Sequence, residues 1–236
     1  MQFSLKKSYS EKKEEAYFNG AHKNRREADG IKEVQTIVLM AKYFFPNSIL
    51  SNHEEKGLNS KSVRLLDIGC GDRYVSYGCS HHNFEYDGID YNECNVEFES
   101  ISREDDSFDV VIALALVEHL RDPSNLISEA YRLLKKGGLL ILSTPNWKYC
   151  VKDFYDDPTH IHPYTPKSLK ELLEVSLFSS VRIVPNLRSQ NKAAYIGELA
   201  FFRAARLRFF PNSKKYLWLP KFLRGKARGI FGISMK

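Results

Sequence analysis

Short strand-like runs rich in apolar residues alternate along this chain with stretches in which apolar residues recur at helical spacing. The runs lie at 63–68, 84–89, 110–114, 139–144 and 180–185. The stretches of helical spacing lie at 31–45, 125–136 and 167–177. Buried runs of this length are typical of parallel strands whose two faces are covered by helices. The pattern therefore predicts an α/β protein built around a mostly parallel sheet.

The stretch 63–90 organises this prediction. The first run stops at a glycine pair, Gly69 and Gly71, which is how a buried strand enters a tight turn. Glycine lets the backbone turn sharply there and lets a ligand approach the main-chain N–H groups. Asp90 ends the second run about twenty residues later, at the spacing where an acidic side chain on a neighbouring strand takes two ribose hydroxyls. The pair predicts a nucleotide-like cofactor at the carboxyl edge of the sheet.

The residues around the glycine pair discriminate between cofactors. A dinucleotide fingerprint requires a third small residue three places after the second glycine, and Tyr74 occupies that place. A nicotinamide cofactor is therefore disfavoured. An acidic residue, Asp67, stands at the strand end just before the glycines.

The sequence Leu-Asp-Ile-Gly-Cys-Gly at 66–71 resembles the first motif of class I S-adenosylmethionine (SAM) dependent methyltransferases. The resemblance implies that the glycine loop passes beside the amino-acid end of SAM and that Asp67 helps to hold the SAM ammonium group. Arg73 is a departure, because the family often carries a third glycine at that place. The cofactor-binding residues implied by the resemblance are Asp67, Gly69, Cys70, Gly71, Asp90, Tyr91, Glu97, Phe98 and the backbone near Ala113.

Later segments extend the resemblance. The blocks 107–120 and 134–146 are similar to the fourth and later motifs of small-molecule class I methyltransferases, including members associated with glycan and polysaccharide biosynthesis. Together the motifs cover Leu65–Asn146 and, less closely, the chain up to Val184. The family implies a Rossmann-like, mostly parallel seven-stranded sheet flanked by helices. Gly137 and Gly138 are expected to cap the helix at 125–136 before the strand at 139–144.

The segment that follows Asp90 is shorter than the helix that family members commonly place there. We place a short third strand at Val96–Phe98. In that position the resemblance gives Glu97 the role of reading the adenine amino group, with Phe98 beside the ring. The alternative is a surface glutamate on an edge strand.

Three histidines lie on loops that follow the predicted strands at 110–114 and 139–144, at the ligand-facing edge of such a sheet: His119, His160 and His162. Methyl transfer from a sulfonium is an in-line displacement, so the protein mainly aligns the nucleophile and excludes water. A hydroxyl acceptor also needs a nearby base, and histidine titrates near neutral pH. We predict these three residues as catalytic candidates. His160 either acts as the base or only holds its loop in shape, and His119 is either a base or a structural residue beside the cofactor.

The loop 154–166 carries the acceptor-binding candidates, and similar stretches ending in Tyr-Thr-Pro occur in methyltransferases of this group. The predicted substrate-binding residues are Tyr155, Asp157 and Tyr164. A metal is an alternative, because Asp156, Asp157, His160 and His162 offer nitrogen and oxygen ligands. No spaced partner motif accompanies them, so we predict no metal site.

Composition places the chain among ordinary globular proteins. Its 236 residues include 43% hydrophobic and 27% charged residues, which suits one α/β domain with a sizeable core. The four cysteines form no Cys-x-x-Cys pair, no signal-peptide pattern opens the sequence, and no apolar run reaches the roughly 20 residues that span a bilayer. We therefore expect a cytoplasmic protein with reduced thiols.

Charge is distributed unevenly along the chain. Residues 1–181 contain 22 Lys and Arg against 28 Asp and Glu, whereas residues 182–236 contain 13 against one, Glu198. The basic part includes a helix-like run at 193–210 with interleaved aromatic residues. It is a lid that completes the core, an interfacial segment on an anionic membrane, or a nucleic-acid contact, in that order of preference. An anionic acceptor explains the charge equally well.

One methyltransferase domain over residues 1–236 follows from these observations. We expect a mobile arm at 1–30, a SAM-binding core at 31–186, a basic helical insertion at 187–228 between strands six and seven, and a final strand at 229–236. The predicted reaction is methyl transfer from SAM, with S-adenosylhomocysteine (SAH) as product, to an oxygen of a small molecule or glycan precursor. The alternative is a SAM-binding pseudo-enzyme or membrane-docked partner protein without catalysis of its own.

Overall fold

The computed structural model of the chain describes residues 27–53, 62–186 and 228–236. The helices are α1 (Glu27–Phe44), α2 (Ile49–His53), α3 (Val75–His81), α4 (Ser124–Leu133), α5 (Trp147–Cys150) and α6 (Pro166–Glu174). The strands are β1 (Val63–Ile68), β2 (Phe84–Ile89), β3 (Phe108–Leu114), β4 (Leu134–Pro145), β5 (Ser180–Asn186) and β6 (Gly229–Met235). Single 3-10 turns lie at Val117–His119 and Phe154–Asp156.

One sheet joins all six described strands in the order β2-β1-β3-β4-β6-β5. The neighbours from β2 to β4 run parallel, whereas β6 runs antiparallel to both β4 and β5. This arrangement confirms the predicted Rossmann-like α/β fold. The predicted strands near 180–185 and 229–236 are confirmed as β5 and β6.

The third strand predicted at Val96–Phe98 is wrong. Among the described residues β2 is the last strand at its side of the sheet, and the segment after it consists of turns. Backbone N–H groups of Glu93 and Cys94 bond to the Asp90 carbonyl, and those of Phe98 and Glu99 bond to the Asn95 carbonyl. Local turn hydrogen bonds therefore satisfy backbone groups that a strand would offer to a neighbour.

The boundary between α4 and β4 also differs from the prediction. The helix ends at Leu133, and β4 begins at Leu134, five residues before the start of the strand predicted at 139–144. Gly137 adopts a positive φ of 80° within β4 and donates its N–H to the Lys236 carbonyl at 2.8 Å. Gly137 and Gly138 therefore lie in an irregular part of β4 and do not cap the helix.

The two faces of the sheet bury separate apolar clusters. Leu65, Val110 and Leu139 face the side covered by α1 and α3. Their chain neighbours Leu66, Val111 and Leu140 face the side covered by α4 and α6. Consecutive strand residues point to opposite faces, so unbroken apolar runs are what a sheet covered on both sides requires.

Helices α1 and α3 cross in direct backbone contact. A Cβ added at Gly78 would lie 2.2 Å from the Gly30 carbonyl oxygen, and one added at Gly30 would lie 2.0 Å from the Tyr74 carbonyl oxygen. Glycine at both positions is therefore a packing requirement. Residues 27–30, predicted to belong to the N-terminal arm, are the first turn of α1.

Several sequence predictions fall outside the described residues. Residues 1–26 hold most of the predicted arm, and residues 187–227 hold nearly all of the basic insertion. None of the helices in the described part of the chain has the length and apolar character needed to cross a membrane.

Candidate active site

A cleft opens where the parallel strands β1, β2 and β3 end. Its lining residues are Asp67, Gly69, Cys70, Gly71, Asp72, Tyr74, Asp90, Leu114, Ala115 and Leu116. The carboxyl ends of parallel strands are where open α/β sheets bind ligands. The structure therefore brings together five of the predicted cofactor-binding residues at this edge.

The glycine loop forms the floor of this cleft. Gly69 and Gly71 adopt positive φ values of 73° and 50°, which glycine adopts without strain. The loop is fixed to β2, because the N–H groups of Gly69 and Cys70 both donate to the Ile89 carbonyl, at 2.9 and 3.1 Å. A Cβ added at Gly71 would have no heavy atom within 4 Å. The space above Gly71 is therefore open to a ligand.

Asp67 lies at the base of the cleft with 2% of its surface exposed. The Tyr86 hydroxyl on β2 donates to its carboxylate at 3.0 Å, and burial together with the Asp67 charge raises the pKa of Tyr86. Burial, with Asp67 and Asp90 nearby, raises the pKa of the Cys70 thiol to about 12. Cys70 is therefore a neutral thiol at the loop, and Asp67 and Asp90 provide negative charge.

Asp90 follows the end of β2 and faces the glycine loop. One carboxylate oxygen accepts the Gly71 N–H at 2.5 Å, and the other accepts the Tyr91 N–H at 2.7 Å. The Tyr91 side chain is half exposed and is not among the residues lining the cleft. Asp90 therefore positions the glycine loop and presents its carboxylate to the cleft.

Arg73 leaves the cleft open. Its backbone has a φ of 56°, a conformation that favours glycine, which accounts for the third glycine that the family often carries. Its guanidinium pairs with the Glu93 carboxylate at 2.7 Å, and both side chains are about half exposed. Arg73 is not among the residues that line the cleft.

The structure places the remaining predicted cofactor residues elsewhere. The Glu97 carboxylate accepts the backbone N–H groups of Arg121 and Asp122 at 2.8 and 3.0 Å, and the Phe98 side chain is 74% exposed. Neither residue lines the cleft. Ala113 is fully buried inside β3, and the three residues after it, 114–116, form the cleft wall.

Ala115 is the strained member of that wall. It adopts a φ of 53°, and its N–H donates to the Ser143 carbonyl on β4 at 2.9 Å. Strained non-glycine residues that the surrounding structure holds in place concentrate at functional sites. The chain turns sharply into the cleft at this point.

The loop 154–166, called the histidine loop from here on, is tied to the turn Val117–His119 that follows β3. The main-chain carbonyl of Glu118 accepts the N–H groups of Ile161 and His162, each at 3.0 Å. This contact brings two of the predicted histidines together, because the ring centroids of His119 and His160 lie 4.8 Å apart. Both rings are partly buried.

Backbone carbonyls orient both rings. His160 Nδ1 lies 2.7 Å from the Phe154 carbonyl oxygen, and His119 Nδ1 lies 3.1 Å from the Thr159 carbonyl oxygen. A carbonyl only accepts hydrogen bonds, so each Nδ1 carries a proton. His160 Nε2 lies 3.7 Å from an Asp157 oxygen.

The other loop candidates have different surroundings. His162 stacks face to face on the buried Tyr164 ring, at a centroid distance of 4.5 Å and an angle of 17°. Asp157 accepts the backbone N–H and the hydroxyl of Thr159, which lowers the pKa of its carboxyl together with His160 and His119. Tyr155 is 58% exposed and makes edge contacts with Trp147 and Phe154.

Glu118 is a residue that sequence reasoning missed. Its side chain is fully buried, and burial raises the pKa of its carboxyl to about 8. A detectable signal was present, since the glutamate directly follows the apolar pair Leu116–Val117 and precedes His119. An acidic side chain inside a buried turn is uncommon without a functional reason.

Comparisons with known proteins agree with this geometry. A methyltransferase domain family model matches residues 35–176. A ubiquinone biosynthesis O-methyltransferase of Pseudomonas fluorescens is 30% identical over 120 residues, which are 42% of this chain and 52% of that protein. The corresponding protein of Pseudomonas savastanoi is 34% identical over 113 residues, 39% of this chain and 48% of that protein. The chain thus spans about half the length of the curated relatives it matches.

Solved structures share the fold. A SAM-dependent methyltransferase from Archaeoglobus fulgidus superposes with a TM-score of 0.51 at 23% identity, over 97% of this chain and 100% of that one. A plantazolicin methyltransferase in complex with SAH gives a TM-score of 0.53 at 13% identity, over 97% and 92% of the two chains. Since the family model covers more than half of the chain, this protein belongs to the SAM-dependent methyltransferase family.

Proposed function

We propose that this protein transfers the methyl group of SAM to an oxygen of a small-molecule acceptor, a class that includes glycan precursors. The observation that carries the proposal is the cleft in which Asp67, Gly71 and Asp90 converge at the ends of β1 and β2. An acid at each strand end and an open glycine floor between them suit a ligand with an ammonium group and ribose hydroxyls.

The described residues fit SAM at this cleft. The Asp67 carboxyl group is buried beside the loop, where it suits the ammonium of the methionine part. Asp90 suits the ribose hydroxyls, which would share or replace its hydrogen bond to the Gly71 N–H. The open space above Gly71 accommodates the cofactor where a Cβ would protrude. SAM supplies the activated methyl group when it is bound.

The acceptor side is the histidine loop. In the proposed reaction an acceptor hydroxyl oxygen forms a bond to the methyl carbon while the carbon–sulfur bond breaks and its electron pair stays on sulfur, giving SAH. The hydroxyl proton passes to a base. His160 and His119 are the candidates, because both rings lie together at the loop junction with the tautomer set by backbone carbonyls. His162 is the weaker candidate, since its ring stacks on Tyr164.

Oxygen is the preferred acceptor atom, because the curated relatives are named ubiquinone biosynthesis O-methyltransferases. Asp157, Tyr155 and Tyr164 remain the proposed acceptor-side residues. The basic residues of 182–236 favour an anionic acceptor or peripheral contact with an anionic membrane from the cytoplasmic side. Nucleic acid is not favoured, since no recognised RNA-binding module accompanies these residues.

The rival proposal is a SAM-binding pseudo-enzyme or partner protein. Two sequence features support it: Arg73, which would block the glycine loop if its side chain entered the cleft, and the shortened segment after Asp90. The ion pair with Glu93 holds that side chain outside the cleft, which favours a functional cofactor site.

Binding of SAM and SAH to the purified chain, measured by isothermal titration calorimetry, tests the proposal. Micromolar affinity, about −8 kcal/mol, is expected for at least one of them. No binding at millimolar ligand would refute the cofactor assignment. His160→Ala should then lose turnover on a suitable acceptor while keeping its SAH affinity. Turnover at the parent rate would remove His160 from the mechanism.

A further inference from the structure

The buried carboxyl group of Glu118 stands outside the hydrogen-bond network of the described residues. Neither of its oxygens has a partner in full hydrogen-bonding geometry among the residues that the structure describes, although the side chain is fully buried. The buried Thr144 hydroxyl is near enough to lower the pKa of the carboxyl, but it also lacks a partner in full geometry and can satisfy only one of the two oxygens. A buried polar group without a partner costs free energy, and an absent ion or water is a usual reason for it. Glu118 therefore points to a ligand.

Two imidazoles stand beside this carboxylate. Glu118, His119 and His160 each offer one ligand atom, and these three atoms lie within 4.8 Å of one another. The set joins two loops, since Glu118 and His119 belong to the turn after β3 and His160 to the loop after β4. The hydrogen bonds that the Glu118 carbonyl accepts from the N–H groups of residues 161 and 162 keep the two loops in register.

The Nδ1 atoms of His119 and His160 make the kind of hydrogen bond that is usual for metal-binding histidines. Histidines that bind metals usually donate Nδ1–H or Nε2–H to a carbonyl or carboxylate, which fixes the tautomer and the ring orientation. Here His160 Nδ1 meets the Phe154 carbonyl and His119 Nδ1 meets the Thr159 carbonyl. The coordinating lone pair of each ring is therefore on Nε2.

We propose that Glu118, His119 and His160 bind a divalent transition-metal ion such as Zn²⁺ at the junction of the two loops. Two imidazoles and one carboxylate suit zinc and its neighbours, whereas Mg²⁺ and Ca²⁺ prefer oxygen ligands throughout. Ligand atoms around tetrahedral zinc lie about 3.3 Å apart, so the three side chains must close by up to about 1.5 Å on binding.

One competing arrangement uses the same residues. The Asp157 carboxylate lies 3.7 Å from His160 Nε2 and would pair with a protonated His160. It leaves the buried Glu118 carboxylate without a partner, so it does not account for the whole cluster. The metal satisfies Glu118 and both rings together.

A site with three protein ligands keeps a coordination position for a further oxygen ligand. Its role in the reaction rests on the proposed function: with both imidazoles coordinating through Nε2, the ion would take the place of the histidine base, because it would orient an acceptor hydroxyl and lower its pKa, so that the proton leaves more readily to water. Binding of the ion itself does not depend on that function.

Titration of Zn²⁺ into the full-length, tag-free chain, stripped with EDTA and free of SAM, tests the proposal by calorimetry. One Zn²⁺ per chain at micromolar affinity or tighter is expected, with no comparable heat from Mg²⁺. Glu118→Gln, which keeps the side-chain shape, and His160→Ala should each weaken Zn²⁺ binding by at least about tenfold. His162→Ala is the matched control, because His162 lies in the same loop outside the cluster, and its affinity should stay within about twofold.

The contrary results are equally specific. Absence of saturable Zn²⁺ binding, or binding that survives both Glu118→Gln and His160→Ala, would overturn the site, and tighter Mg²⁺ than Zn²⁺ binding would overturn the choice of ion. Thermal melts check that each variant is folded. If His160→Ala does not fold, His160→Asn replaces it. SAH titrated into the same samples separates the two proposals: SAH binding without Zn²⁺ binding refutes the metal site alone, and Zn²⁺ binding without SAH binding refutes the cofactor assignment alone.

Discussion

The Asp90 carboxylate and the Gly71 N–H share a hydrogen bond of 2.5 Å, which joins the end of β2 to the floor of the cleft. One side chain thus has two tasks, because it fixes the glycine loop and is the group expected to receive the ribose hydroxyls. Variants at this position have to separate the two.

Asp90→Ala should weaken SAH binding by at least about tenfold and up to about a hundredfold, because hydrogen bonds to a charged group contribute about 1.5–3 kcal/mol each. Asp90→Asn keeps an oxygen for the Gly71 N–H but loses the charge, so it should fall between the parent and alanine. Calorimetry measures all three. Asp87→Ala is the control, since Asp87 lies on the same strand but binds Arg103 at 2.6 Å. Loss of SAH affinity as large in Asp87→Ala would contradict the assignment.

Gly78→Ala should reduce stability rather than binding. The new methyl group would lie 2.2 Å from the Gly30 carbonyl oxygen, so α1 must move away from α3. Forced overpacking of this kind costs typically about 1–3 kcal/mol in the free energy of unfolding. Urea unfolding measures the change, and an unchanged midpoint would mean that the two helices do not pack as described.

Gly71→Ala is expected to reduce SAH binding more than it reduces stability. Space around the added methyl group is open, so the cost is the positive φ, about 1–2 kcal/mol. The methyl group would protrude into the cleft and lower SAH affinity well beyond this loss of stability. Calorimetric SAH affinity equal to that of the parent would show that the cofactor does not approach the loop here.

Arg73→Gly tests the departure from the family motif. The substitution removes an exposed ion pair of small value and relieves a positive φ, so stability should stay the same or rise slightly. SAH affinity should remain within about twofold, because the side chain lies outside the cleft. Tightening of SAH binding by more than about tenfold would instead show that Arg73 obstructs the site.

Glu118 should give the parent protein a distinctive pH dependence. Burial raises the pKa of its carboxyl from an ordinary 4.5 to about 8, so the folded state holds a proton that the unfolded state releases. The corresponding stability is fully present below about pH 4.5 and is lost as the pH rises through about 8. Glu118→Gln mimics the neutral form, so its free energy of unfolding should fall less than that of the parent between pH 5 and 8.

Urea unfolding of both proteins at several pH values, in EDTA, measures the difference. Glu171→Gln is the control, because Glu171 is exposed on α6 and pairs only with Lys167 among the described ion pairs. Parallel pH profiles for the parent and Glu118→Gln would show that the carboxyl is not held neutral in the folded state.

Local sequence signals were sufficient for the parallel half of the sheet. Runs rich in apolar residues that end in the glycine pair and in Asp90 predicted β1, β2 and the cleft between them, although β2 also carries Glu85 and Asp87. The same signals failed at Val96–Phe98, where three residues cannot distinguish a strand from a turn. The Glu97 carboxylate instead accepts hydrogen bonds from the backbone N–H groups of Arg121 and Asp122. These residues are distant in sequence, so no local pattern identifies the contact.

The acceptor side was predicted in part for a related reason. Histidine is conspicuous in a loop, so His119 and His160 were selected from their positions alone. Their proximity depends on the Glu118 carbonyl binding the loop at 161–162, a backbone contact without a side-chain signature. Glu118 itself was missed because its one sequence signal, an acid directly after the apolar pair Leu116–Val117, gains its meaning only when the packed structure shows that the side chain is fully buried.

The position of β6 between β4 and β5 has a consequence for folding in the cell. The ribosome delivers β5 before residues 187–228 and therefore well before β6, its one neighbour among the strands that the structure describes. Closing so long a connection costs chain entropy before the new pairing returns any stability. An exposed strand edge is a site for aggregation, so the edge of β5 is vulnerable until β6 is in place.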